Sequence, residues 1–242
     1  MDFCVVEKPK KRRNRKGKQS TIPRTVDDFL ADFDSKKAIL GRSKFYSLLE
    51  ESLEEYKVQP DSIRCLAIGS PCDTSSTMPA MYQLALLMLL KEKLEIDSDK
   101  VTVYDPVFTD MDKEIFAKLG LSIDDSDDSK YPENCLLYMP HAPVSLIDSV
   151  LGNLEGRPWI IGNVISQYDT RISSEDLEQK YPHLKRALND SWDTVTIPEK
   201  FIRNEHYFVA VNDTAMYRRG QGLQNNKTQH NEASTLSDES TA

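Results

Sequence analysis

Apolar positions recur at helical spacing near the start of the chain. Val26, Phe29, Leu30 and Phe33 predict one helix, and Phe45, Leu48, Leu49, Leu53 and Tyr56 a second. The run Ile63-Arg64-Cys65-Leu66-Ala67-Ile68 then reads as a buried strand ending at Gly69-Ser70-Pro71. Residues Met78 to Leu94 are apolar on most sides and predict a buried helix, with its Met and Leu stripe in the core. A second strand, Val101 to Tyr104, ends at Asp105-Pro106. Thr109 and Asp112 form a capping pair for a helix stopped by Gly120, and Asp124–Asp128 reads as a solvated loop.

The pattern then repeats. Cys135 to Met139 is a strand ending at Pro140-His141, and Pro143 opens a helix carrying Leu146, Ile147, Val150, Leu151 and Leu154. Trp159-Ile160-Ile161 is a fourth strand ending at Gly162-Asn163. One helix is expected from Ser173 to about Leu188, bent at Pro182. Strand-like runs at Trp192–Ile197 and His206–Val211 complete the core, with Asn212-Asp213-Thr214 as the turn that ends the last strand. Strands alternating with helices predict an α/β class: a single Rossmann-like domain with a largely parallel sheet flanked by helices. The domain is expected over 25–219, between a disordered basic tail at 1–24 and a disordered polar tail at 220–242.

Composition changes the picture at the ends. The formal net charge is -8, yet eight of the eleven residues from Lys8 to Lys18 are Lys or Arg. Without those eight positive charges the remainder stands at -16, which repels phosphate backbones and argues against general nucleic-acid binding by the folded core. The basic run reads equally as a nuclear-import signal, a docking segment for an acidic partner, or an inert solubilising tail. The longest apolar run, Leu84–Leu90, is far short of the roughly 18 residues of a membrane span. Cys4, Cys65, Cys72 and Cys135 show no CxxC spacing, and no signal peptide is visible. Reduced thiols in the cytoplasm are expected, with nuclear entry through 8–18 as an open alternative.

Chemistry is expected beyond the carboxyl ends of the strands, where open α/β sheets bind ligands. Gly69-Ser70, Asp105, His141 and Asn163 would converge there on one rim. A glycine turn after the first strand and an acid after the second is the layout of adenosyl- and dinucleotide-binding sites. Gly69, Ser70, Asp105 and Asn163 are therefore the hypothetical cofactor-binding residues. The turn has only one glycine, and Asp105 follows Gly69 by 36 residues, longer than the ~20 of the compact fingerprint. A tight turn explains Gly69 without any ligand. His141 is the histidine placed at a strand end, hence the acid–base candidate, although a turn histidine is the plainer reading. Asp105 and His141 are expected at the ends of neighbouring strands. Phosphate-loop, HExxH and Gly-x-Ser-x-Gly signatures are absent, and His141, His183 and His206 lack metal-ligand spacing.

These strand-end strings carry a family resemblance. Cys65 to Ser70, followed by Gln83 to Leu87, resembles the opening of the SRR domain, named for the plant "sensitivity to red light reduced" proteins. The resemblance continues in family order through Val103–Phe108, Leu137–His141, Gly162-Asn163 and Asn212–Thr214, spanning 63–214. The chain looks most like the fungal branch, which is associated with benomyl resistance. Ala142 stands where the family often has a cysteine, and Val164 where it often has a serine, so a mechanism needing that thiol or hydroxyl does not transfer. The resemblance implies a regulatory role: clock and light signalling in plants, haem-synthesis regulation in animals, microtubule-related processes in fungi. It brings no established reaction.

Two function classes follow. One is a non-catalytic regulatory protein working through protein partners, microtubule-associated ones among them. The other is a transferase using an adenosyl or nucleotide-like cofactor at the strand-end cleft. The single-glycine turn and the missing catalytic motif favour the first.

Overall fold

The computed structural model describes residues 25–73, 77–126 and 130–220. The tails expected at 1–24 and from 220 lie outside these residues, except for Gly220, whose N–H donates to the Ser191 carbonyl at 2.8 Å.

Two amino-terminal helices, α1 (Val26–Gly41) and α2 (Lys44–Glu55), precede the first strand. Thr25 starts α1 with a capping box: its hydroxyl accepts from Asp28 N–H, and the Asp28 carboxylate accepts from the Thr25 N–H. Then β1 (Ser62–Leu66), α3 (Thr77–Lys93), β2 (Val101–Tyr104), α4 (Asp110–Lys118) and β3 (Ser122–Ile123) follow in order. The second half runs β4 (Cys135–Met139), α5 (Val144–Gly152), β5 (Trp159–Asn163), α6 (Tyr168–Arg171), α7 (Ser174–Lys180), α8 (Pro182–Asn189), β6 (Trp192–Thr196), α9 (Phe208–Val211) and β7 (Thr214–Arg219).

One seven-stranded sheet holds the core, in the order β3-β2-β1-β4-β5-β7-β6. The first five strands are mutually parallel, and β7 runs antiparallel to both β5 and β6. Alternation along each strand feeds two apolar layers. Ile63, Cys65, Val101, Val103, Leu136, Tyr138, Ile161 and Met216 face α1, α2, α3, α4 and α9. Leu66, Leu137, Met139, Ile160, Ala215 and Tyr217 face α5, α6, α7 and α8. This is the expected α/β class, a Rossmann-like three-layer arrangement.

Four local expectations are corrected. His206–Val211 is not a strand. Tyr207, Ala210 and Val211 are buried at i, i+3, i+4 spacing while Val209 is 59% exposed, which is a helical face, so α9 forms there. The last strand comes afterwards, and Asn212-Asp213-Thr214 therefore begins it. The helix expected from Ser173 to Leu188 is two helices, because Pro182 has no N–H to continue one and instead occupies the first turn of α8. The acidic stretch after β3 is not wholly solvated: Asp124 accepts from the guanidinium of Arg64, buried in β1.

Cys65 and Cys135 are buried free thiols. Burial pushes the Cys65 and Cys135 thiols above their usual range, so neither is a ready nucleophile. Among the described residues no helix is long and apolar enough to cross a membrane.

Candidate functional site

The carboxyl ends of β2, β1, β4 and β5 stand side by side and form one rim, joined by the start of antiparallel β7. The connection from β1 leads to β2 on one side, and that from β4 leads to β5 on the other. The gap between β1 and β4 is thus a topological switch point, the position where open α/β sheets leave a crevice.

On the β1–β2 side the chain turns sharply after Leu66. Ala67 and Gly69 both have left-handed backbones, with φ of 57° and 71°. A Cβ added at Gly69 would meet only the Ala80 Cβ, at 3.9 Å, so backbone conformation rather than crowding calls for glycine there. The Gly69 N–H donates to Asp105 Oδ2 at 2.8 Å, and the Val107 N–H to Asp105 Oδ1 at 3.1 Å. The acid expected to meet a ribose thus already holds two backbone donors.

Ser70 is committed in the same way. Its hydroxyl donates to Asp112 Oδ2 at 2.6 Å and accepts from the Asp73 N–H at 3.1 Å. Asp112 is fully buried and also accepts from the N–H groups of Cys72 (3.0 Å) and Thr109 (2.8 Å) and the Thr109 hydroxyl (2.7 Å). Burial by itself would raise its pKa, but the donors from Ser70, Thr109 and Cys72 outweigh it and hold the carboxyl below its ordinary value. Asp112 reads in sequence as a helix cap; its second role, fastening the β1 loop to α4, carries no local signal.

On the β4–β5–β7 side, Asn163 is buried at the end of β5. Its Oδ1 accepts from the Ala142 N–H and its Nδ2 donates to the Tyr168 hydroxyl, both at 3.0 Å. Gly162 is required by close approach, since a Cβ there would lie 2.9 Å from the Met139 carbonyl oxygen. His141 is exposed, with φ 51°. Protein packed about its ring lowers the imidazole pKa, against the opposing pull of the Asp213 carboxylate and the carbonyls of Ala210 and Val209. Asp213, at φ 65°, opens β7; its Oδ2 accepts from Arg171 Nη1 at 2.8 Å, and Arg171 Nη2 also donates to Gln167. The Tyr168 phenol is raised mainly by burial, and it feels the charges of both Asp213 and Arg171.

Every residue singled out in the sequence therefore lies on the rim, in two groups. Gly69, Ser70 and Asp105 meet on one side, His141 and Asn163 on the other. Asp105 and His141 do not end neighbouring strands, because β1 lies between β2 and β4. Asp112, Arg171 and Asp213 were not visible as partners, since Asp112 reaches Ser70 and Arg171 reaches Asp213 across 42 positions each; Tyr168 lies only five residues from Asn163, but no motif marks that pair. Among the described residues no group of three or more His, Cys, Asp or Glu is placed to hold a metal ion.

Known proteins resemble this chain in sequence and, more distantly, in structure. Residues 48–218 match the sequence model of the SRR1 domain. An SRR1-like protein of Mus musculus is 26% identical over 159 residues, which cover 61% of this chain and 63% of that relative. The matched part thus spans less than two thirds of the relative's length. An O-methyltransferase from Bacillus cereus, solved in complex with SAH, is 12% identical over 81% of this chain and 90% of its own, with a TM-score of 0.42. An O-methyltransferase family protein from Burkholderia thailandensis is 9% identical over 83% of this chain and 64% of its own, with a TM-score of 0.40. Likeness at that level carries no argument about this chain. The SRR1 match is different in kind, since it takes in most of the chain and both groups of rim residues. On that match, the chain belongs to the SRR1 domain family.

Proposed function

We propose that this protein is a regulatory member of its family, acting through its folded surface on protein partners rather than by catalysis. One observation carries the reading: Gly69, Ser70, Asp105 and Asn163, the polar groups that would grip a cofactor, are engaged in hydrogen bonds that join one strand-end loop to the next. By the family resemblance, the process is microtubule-related in fungi, with clock or haem-synthesis regulation as its counterparts elsewhere. The protein works in the cytoplasm, and Lys8–Lys18 supplies a route of nuclear entry. It has no membrane role, and its acidic core does not bind nucleic acid in general.

The test uses Asp105→Asn and His141→Asn, the latter chosen because asparagine tolerates a left-handed backbone. Thermal stability, cellular abundance and benomyl sensitivity are measured together in fungal cells. Any phenotype is expected to follow lowered abundance. Stable, abundant variants with a complete loss of function would overturn the regulatory reading of these two residues.

A second reading has one observation in its favour. The switch point between β1 and β4 lies beside Gly69, and little protein crowds that glycine. In this reading a transferase binds an adenosyl or nucleotide cofactor there. Native mass spectrometry of the purified protein, with thermal shifts in S-adenosylmethionine, NAD and ATP, tests it; a bare mass and no shift with any of the three would reject it.

A further inference from the structure

The end of the sheet away from the rim holds both tryptophans of the chain, each under an arginine of β7. Trp159 opens β5 and Trp192 opens β6, while Arg218 and Arg219 stand where antiparallel β7 finishes. Alternation sends the two arginines to opposite faces of the sheet. Arg218 follows Met216 towards the layer of α1 to α4, and Arg219 follows Tyr217 towards that of α5 to α8. The Arg218 guanidinium lies 4.5 Å from the centre of the Trp159 ring, and Tyr56, just past α2, meets that ring edge to face at 5.5 Å.

The two arginines differ in what answers their charge. Arg219 Nε faces Asp190 Oδ2 at 3.4 Å. Arg218 forms no hydrogen bond and no ion pair among the described residues. Asp193 stands opposite it in the β6–β7 register, yet that carboxylate lies 3.9 Å from Arg157 Nη2 instead. Arg218 Nε is buried with no acceptor, while its two Nη groups stay open to solvent. An arginine kept for stability alone would take the acid opposite it, since cross-strand pairs of opposite charge stabilise a sheet. Here the Trp159 ring holds the guanidinium plane, and the outer fork of N–H groups is left unneutralised. Lys57, the neighbour of Tyr56, is exposed and has no ion pair among the described residues. Uncancelled cations beside Tyr56, itself 37% exposed, stand out on a chain whose remainder carries -16. Trp, Tyr and Arg are the residues that dominate contacts between proteins, and a stacked guanidinium fork matches a carboxylate.

We propose that this end of the sheet is the surface that holds an acidic segment of a partner protein, with a Glu or Asp carboxylate seated on the Nη fork of Arg218 and the adjoining part of the segment against Tyr56. Trp159 fixes the plane of the fork, so little side-chain freedom is lost when the carboxylate arrives. The charge of Arg218 and Lys57 selects an acidic segment over a neutral one. This inference rests on the regulatory reading above and names the surface and the kind of partner it uses. Binding in solution needs neither cells nor the rim residues, so the failure of either reading is seen separately.

Titration of the full chain with N-acetylated, C-amidated hexaglutamate, read by NMR at the two indole N–H groups, tests it. A saturable shift is expected at Trp159, with Trp192, whose N–H donates to the Ala187 carbonyl at 2.7 Å, unmoved. Arg218→Met keeps the stem over the ring but removes the fork, and should weaken binding about tenfold or more. Arg218→Lys should weaken it less, because an ammonium is no planar fork, and it carries the comparison if Arg218→Met does not fold. Arg219→Met, whose charge Asp190 already answers, should stay within about twofold of the wild type. No saturable shift at Trp159, or unchanged affinity in both Arg218 variants, would overturn the proposal, and so would equal binding of hexaglutamine. Tighter binding of oligothymidylate than of hexaglutamate would make the surface a reader of phosphate and overturn it too. Binding seen only after Glu232→Gln, Asp238→Asn and Glu239→Gln would make the occupant a segment of this same chain, against a partner protein.

Discussion

The two sides of the rim hold similar residues, and differ in how many of them the chain itself satisfies. Around β1 and β2, Asp105 and Asp112 each accept from two or more groups, and Ser70 both donates and accepts. Around β4 and β7, His141 is exposed and one oxygen of Asp213 has no partner. A polar residue at a strand end is therefore not a functional residue by position. What separates the sides is whether the chain itself satisfies the group. The first side is a lock that sets loop geometry; the second locks Asn163 in the same way but leaves one Asp213 oxygen unanswered.

The largest expected effect breaks the lock. Asp112→Ala strands four donor interactions in a buried place, and a loss of about 2–4 kcal/mol is expected in urea unfolding. A loss no greater than that of a surface substitution would remove the distinction between the two sides. The same group gives a pH signature. Its folded pKa lies below the ordinary 3.8, so its stabilisation is fully present above that value and disappears as pH falls through the lower, folded value. Acid unfolding of the wild type should thus be steeper than that of Asp112→Asn, which has no such proton to bind.

Gly69→Val comes next. Valine at φ 71° is strained although the space beside it is open, and a cost of about 1–3 kcal/mol is expected by thermal or chemical melting. Full stability would mean that the loop rearranges and that the glycine is not needed by the turn. Asp105→Asn should cost about 0.5–1.5 kcal/mol, because one or both of its backbone partners lose a charged acceptor. His141→Asn on the other side should cost less than about 0.5 kcal/mol. A reversal of that order would contradict the comparison directly.

The smallest effect is a gain. Ala67 has φ 57°, which a glycine adopts freely, so Ala67→Gly should stabilise by a few tenths to about 1 kcal/mol despite the greater freedom of the unfolded chain. A lower melting temperature would mean that the Ala67 methyl, packed against the layer beneath α5, outweighs the backbone term.

Much of this was open to reading along the chain. The pairing of Thr109 with Asp112, the strand ends at Gly69, Asp105 and His141, and the buried character of α3 are all short-range patterns. The misreadings were short-range as well. Tyr207–Val211 is apolar enough for a strand, and its burial at i, i+3, i+4 shows only once α3 lies against it. The true last strand was hidden by Arg218 and Arg219, whose guanidinium groups lie over Trp159 and Trp192 at 4.5 and 5.7 Å from the ring centres.

Periodicity and turn residues act within a few positions of the chain, so the amino-acid order alone was enough to define the α/β class, the elements from α1 to β5 that carry the core, and the residues that end β1, β2, β4 and β5. Strand order, and with it the company each strand-end residue keeps, was settled only by packing. β1 separates Asp105 from His141, and Asp112 reaches Ser70 across 42 positions, as Arg171 reaches Asp213 across another 42. A hydrogen bond over that distance depends on how two apolar layers close on the sheet, and nothing local to either partner encodes it.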